Sequence, residues 1–179
     1  EIAEVLDDLK DRVASKDEVI DANKIVPMPE EIKNTRTYGT LEINYFNAWY
    51  GHDANKITQE KLLLKYGKIS KFIADKMKYL HDKYGCFDWY SWCLHNWGTK
   101  WGIVDSALMI DKPTELEYNF FSPWSEPSPV IDKLSEEYSM LWFIMESYEA
   151  GTSSYVYIEW YEGIRQVEQQ EDYEGTRGG

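Results

Sequence analysis

The chain is poor in the residues that usually carry chemistry. Its 179 residues include three histidines and two cysteines, Cys86 and Cys93. Two cysteines are too few for a disulfide framework, so a reduced, cytosolic setting is the simpler expectation. There is no Gly-rich phosphate loop, no His-Glu-x-x-His and no Gly-x-Ser-x-Gly turn. Carboxylates are plentiful, but sequence alone singles out no glycosidase-type pair. No apolar run approaches the ~18–20 residues needed to cross a bilayer, and no signal-peptide pattern is visible. Cations are scarce too, with 19 Lys and Arg against 32 Asp and Glu and a net charge of −13. Together these deficits point away from an enzyme, from a membrane protein and from a protein that binds nucleic acid directly.

His81, Cys86, Cys93 and His95 are zinc-ligand types, but they are spaced five, seven and two apart. Paired zinc cysteines usually sit two to four apart. No metal and no cofactor is expected, with Cys86, Cys93 and His95 the weak candidates.

What the chain does have is aromatic surface and segregated charge. Residues 1–55 hold 6 Lys/Arg against 12 Asp/Glu, residues 56–100 hold 9 against 4, and residues 101–179 hold 4 against 16. A basic middle therefore lies between two acidic ends. With 43% apolar residues the chain has enough material for one full core.

Ile2, Val5, Leu6, Leu9 and Val13 follow the spacing of an amphipathic helix. A linker follows, with Pro29 opening a short helix. Residues 41–46 read as a strand. A Lys-rich helix is expected over 58–84, with Leu62, Tyr66, Ile69, Phe72, Ile73, Met77 and Leu80 as its apolar stripe. Gly67 is placed to split it and Gly85 to end it. Residues 101–110 and 115–121 read as an antiparallel pair around Pro113, and Ser128 with Pro129 opens another helix. Residues 141–148 and 155–161 complete the strands. The expectation is one domain over 1–165 with a helical insertion at about 29–85, followed by an acidic, flexible tail at 166–179.

A strand–helix–strand–strand–helix–strand order gives a ferredoxin-like fold. The chain fits an α+β, ferredoxin-like antiparallel sheet with helices on one face if a first strand precedes Glu1 and is missing from this chain.

Three of the eight Trp fall within residues 92–101. The hexapeptide Asn96, Trp97, Gly98, Thr99, Lys100, Trp101 suggests either a binding loop or a structural plug. Burying one Trp removes ~150–250 Å² from water, or roughly 4–6 kcal/mol gross, so the structural reading is preferred. This hexapeptide resembles the signature of a phage- and plasmid-encoded group, the YubB-like ferredoxin-like proteins. Residues 21–31 (DANKIVPMPEE) and 120–127 (FFSPWSEP) are similar to two further segments of that group. The resemblance implies a ferredoxin-like sheet and a mobile-element origin. It supplies no catalytic residues.

The remaining candidate is the acidic C-terminal part. Strand alternation puts Tyr155, Tyr157 and Tyr161 on one face with Glu159, and Val156, Ile158 and Trp160 on the other. With Glu146, Glu149 and Glu162, these tyrosines suit a protein-binding surface steered towards a basic partner. Combined with the resemblance, this gives the expected function: a non-enzymatic accessory protein in the cytoplasm of a bacterial host. It would bind a basic or nucleic-acid-handling host protein, as a DNA mimic acting on a defence nuclease. The alternatives are single-stranded nucleic-acid binding by the Lys-rich helix and the Tyr face, or a structural role in a phage particle.

Overall fold

A computed structural model describes residues 1–52, 58–149, 151 and 153–172. The chain divides into two compact units, residues 1–27 with 93–179, and residues 28–92. No described helix is long and apolar enough to cross a membrane.

The first unit mixes helix and strand. Helix α1 (Ile2–Val13) buries Leu6, Leu9 and Val13, while Ile2 at its end stays exposed. Asp21 caps the short α2 (Ala22–Ile25) by accepting from the Asn23 N–H at 2.8 Å. Strands β1 (Val104–Lys112) and β2 (Glu115–Phe121) form a hairpin. Helix α7 (Ser128–Glu137), with Pro129 in its first turn, buries Val130, Ile131 and Leu134. Strands β3 (Phe143–Glu149), β4 (Ser154–Tyr161) and β5 (Ile164–Asp172) form an antiparallel sheet with β4 in the centre. Val156, Ile158 and Trp160 of β4 and Met145 of β3 are buried, and α7 packs on β4 and β5.

The fold is thus mixed helix and strand, but its strands form two separate antiparallel sheets instead of one. No described strand pairs with the outer edge of β2 or of β3.

The expected flexible tail is corrected by β5, which pairs along β4 from Tyr161↔Ile164 to Ser154↔Asp172. Its polar composition is what an edge strand tolerates, because main-chain bonds hold it and its charges remain solvated. Arg165 anchors its start through Asp132 at 2.8 Å. Residues 173–179 lie outside the described residues. The first strand also begins later than expected, at Val104, because a turn stabilised by Thr99 occupies the preceding residues.

The second unit is helical, with α3 (Glu30–Lys33), α4 (Thr40–Tyr50) and α5 (Gln59–Tyr84). Helix α6 (Trp89–Asn96) begins in this unit and ends in the first. The strand expected at 41–46 is part of α4. Glu42 there accepts from the Gly39 N–H at 3.1 Å and pairs with Arg36 at 2.6 Å, fixing a helix start that six residues of alternation could not reveal. Trp49 of α4 packs with Leu62 and Ala74 of α5 and donates to Ser70 Oγ at 3.2 Å.

Gly67 does break α5: its φ of +76° lies outside helical geometry. That break changes which residues face inward. After it the buried positions are Ser70, Ala74, Met77 and Leu80, so Ile69 and Phe72, expected in the core, are 68% and 71% exposed.

Candidate functional site

The face of the β3–β4–β5 sheet opposite α7 is the strongest candidate. Tyr155, Tyr157, Glu159 and Tyr161 alternate with the buried residues of β4 and point away from α7's side of the sheet. Cross-strand register adds Tyr148 opposite Tyr155, Glu146 opposite Tyr157 and Ile144 opposite Glu159 from β3. From β5 it adds Glu171 opposite Tyr155 and Val167 opposite Glu159.

The phenols organise the carboxylates. Tyr148 donates to Glu146 at 2.9 Å, and Tyr157 donates to Glu159. The rings of Tyr148 and Tyr155 lie 5.0 Å apart. The Glu159 carboxylate, reinforced by partial desolvation, pushes the Tyr157 phenol up to about 12. Desolvation and then Glu146 raise Tyr155. Raised phenol pKa values keep these hydroxyls as donors. Each carboxylate keeps further lone pairs to offer, since an ionised carboxylate has about four acceptor sites. Glu146, Glu159 and Glu171 have no salt-bridge partner among the described residues.

The expected site residues divide accordingly. Glu146, Tyr155, Tyr157, Glu159 and Tyr161 share the face. Glu149 falls on the opposite parity and accepts from the Gly151 N–H at 2.7 Å, and Glu162 sits in the β4–β5 turn with a φ of +53°. Ile144 and Tyr148 were legible from alternation in β3. Glu171 is one of the C-terminal carboxylates evident in the sequence, but its place opposite Tyr155 was not legible because its segment reads as a tail.

An absorbance titration tests the arrangement. Two tyrosines, Tyr138 and Tyr157, should ionise near pH 12, and Glu159→Gln should bring only the Tyr157 midpoint down towards the ordinary 10. Because the folded-state value is raised, the stabilisation is fully present below the unfolded phenol's pKa. It is lost as pH rises through about 12.

The Trp hexapeptide is partly buried. Trp97 is buried and donates from Nε1 to the Val26 carbonyl at 2.9 Å. Thr99 is fully buried, accepting from the Gly102 N–H at 2.9 Å and donating to the Gly102 carbonyl at 3.0 Å. Ser125 donates to the Gly98 carbonyl at 2.6 Å. Residues 21–27, 96–101 and 120–127 therefore meet around Trp97 and Gly98. Trp101 corrects the expectation that both Trp plug the core: it is 57% exposed, with Lys100 Nζ 4.4 Å from its ring centroid.

Trp124 is 85% exposed on a backbone with φ +71°, in a turn closed by Ser122 donating to the Ser125 carbonyl at 2.6 Å. A bulky residue in the left-handed region costs about 1–2 kcal/mol. Trp124→Gly relieves that cost and loses no core contact, but it loosens the unfolded chain. The expected change in urea-unfolding stability is between zero and about +1 kcal/mol.

Cys86 and Cys93 are buried, and desolvation pushes the Cys86 thiol up. Cys86 donates to the Tyr84 carbonyl at 3.1 Å, whereas His95 is exposed. No group of three metal-ligating side chains converges among the described residues.

No protein-family model, curated protein or solved structure matches the chain.

Proposed function

We propose that this chain is a non-enzymatic, protein-binding accessory factor of a phage or plasmid that docks a basic host protein on the Tyr face of its three-stranded sheet. The carrying observation is a set of carboxylates that phenols hold in place and that no cation neutralises among the described residues. Such groups are ready for Arg or Lys: the geometry is set before the partner arrives, and charge-assisted bonds form without reorganising the site. Tyr rings add contact area at low entropic cost. Carboxylates flanked by aromatic rings would compete for surfaces that bind nucleic-acid phosphates, so a DNA-handling nuclease of the host's defence is the partner class proposed. The order α1, β1, β2, α7, β3 supports a ferredoxin-like reading, with β4 and β5 an extension that builds the binding face.

The test compares the native chain with Glu146→Gln/Glu159→Gln/Glu171→Gln in capture from bacterial lysate, with DNA oligonucleotide as competitor. Native protein should retain basic, nucleic-acid-handling proteins that the oligonucleotide displaces. Each Glu→Gln change should weaken binding by about 1–3 kcal/mol, so the triple variant loses capture. Equal recovery by both proteins, or recovery of no basic protein, overturns the reading.

A further inference from the structure

Helix α5 presents a second surface that no described residue of its own unit covers. Beyond Gly67, Lys68, Phe72 and Lys76 recur every four residues, with Ile69 beside them. Phe72 and Ile69 are 71% and 68% exposed. Lys71, Lys78 and Lys83 are engaged by Asp75, Asp82 and Glu31, whereas Lys68 and Lys76 have no salt-bridge partner among the described residues. The occupant of this stripe must offer apolar contact and negative charge together.

We infer that a second copy of this chain supplies it, the α5 stripe of one molecule lying across the acidic Tyr face of the next. This inference rests on the proposed reading of that face as a binding surface and names a partner for it. Three observations carry it.

Charge is complementary. Residues 28–92 hold ten Lys/Arg against eight Asp/Glu, so that unit carries +2 and the rest of the chain −15. Dimensions also agree. Residues 68–84 span about 25 Å as a helix, and the eight residues of β4 span about 26 Å as a strand. Finally, the sheet already carries a helix, α7, on one face, and a helix on the other would give it the two-sided cover usual for packed layers.

Single-stranded nucleic acid fits the stripe less well. Ile69 offers no ring to stack on, and the Tyr79 hydroxyl is tied to Glu31 at 3.3 Å. A contact between two different surfaces is heterologous, so it propagates into a ring or an open chain. Self-association and partner binding then compete for one face, and the free chain keeps its binding surface covered until a tighter basic partner displaces its neighbour.

Sedimentation velocity of the native chain tests this across micromolar concentrations at low and high salt, beside Lys68→Glu/Lys76→Glu and Glu146→Lys/Glu159→Lys. The sedimentation coefficient should rise with concentration and fall back at high salt. Each double variant alone should stay monomeric, with circular dichroism confirming the fold. Mixing the two should restore association, because the exchanged charges again face their opposites.

A native chain that stays monomeric throughout, or association that survives Lys68→Glu/Lys76→Glu, overturns the inference. So does a monomer whose α5 lysines instead bind an oligonucleotide or an anionic vesicle. The proposed function fails separately: basic host protein captured equally by Glu146→Lys/Glu159→Lys would sink it, whatever the chain's oligomeric state.

Discussion

Trp160→Ala should lower the unfolding free energy of the sheet unit by about 3–5 kcal/mol, the range for emptying a buried aromatic site. Trp160 is fully buried on the central strand of its sheet, opposite Phe143 on one side and Arg165 on the other. Its indole donates to Asp132 at 2.5 Å, and Arg165 packs 5.6 Å from its ring while holding the same carboxylate. Truncation therefore opens a cavity, removes one of Asp132's donors and strips Arg165 of its stacking surface.

Against a typical total stability of about 5–15 kcal/mol, that loss is a large fraction. Urea unfolding should show a lower midpoint with an unchanged slope. Trp160→Phe keeps most of the buried area and loses the indole donor, so it should cost clearly less. Equal losses for the two variants would show that the hydrogen bond to Asp132, not the packing, dominates. Since β4 also carries Tyr155, Tyr157 and Glu159, Trp160→Ala should weaken partner capture as well, without altering any residue of the face.

That coupling shows why part of the site was legible from sequence. In β4 the alternation of Val156, Ile158 and Trp160 with Tyr155, Tyr157 and Tyr161 has only one register that buries the first set, so the face follows from the pattern. The same logic located the β1–β2 pair and helix α7. It failed where a local backbone event reset the pattern. In α5 the left-handed Gly67 turns Ile69 and Phe72 outward, although continuous periodicity placed both in the core. In β5 there is no apolar alternation to detect, since main-chain pairing with β4 and the Arg165–Asp132 contact define the strand. Residues 41–46 carried an apolar pattern short enough to suit either strand or helix, and packing of Trp49 against α5 decided it.

Gly98→Ala separates conformational cost from steric cost at the point where the three motif stretches meet. Gly98 has φ +77°, and a Cβ there would lie 2.8 Å from Pro129 Cδ and 3.0 Å from the Glu126 carbonyl oxygen. Neither neighbour yields easily: one is a proline ring in the first turn of α7, the other is backbone. The left-handed conformation adds about 1–2 kcal/mol for a residue with a side chain, and overpacking adds about 1–3 kcal/mol. The expected loss is therefore about 2–5 kcal/mol. Gly67→Ala provides the comparison, since its φ of +76° is similar but no described atom lies within 4 Å of its Cβ. With ψ at 169° its backbone sits in a region that only Gly populates readily, so it should lose only a conformational part, about 1–3 kcal/mol. Urea unfolding of both variants measures the difference, and near-ultraviolet circular dichroism reports whether Trp97 keeps its packed environment. A Gly98→Ala variant no less stable than Gly67→Ala would mean that α7 and the 120–127 segment shift freely. The Trp97 loop would then not be what fixes their position.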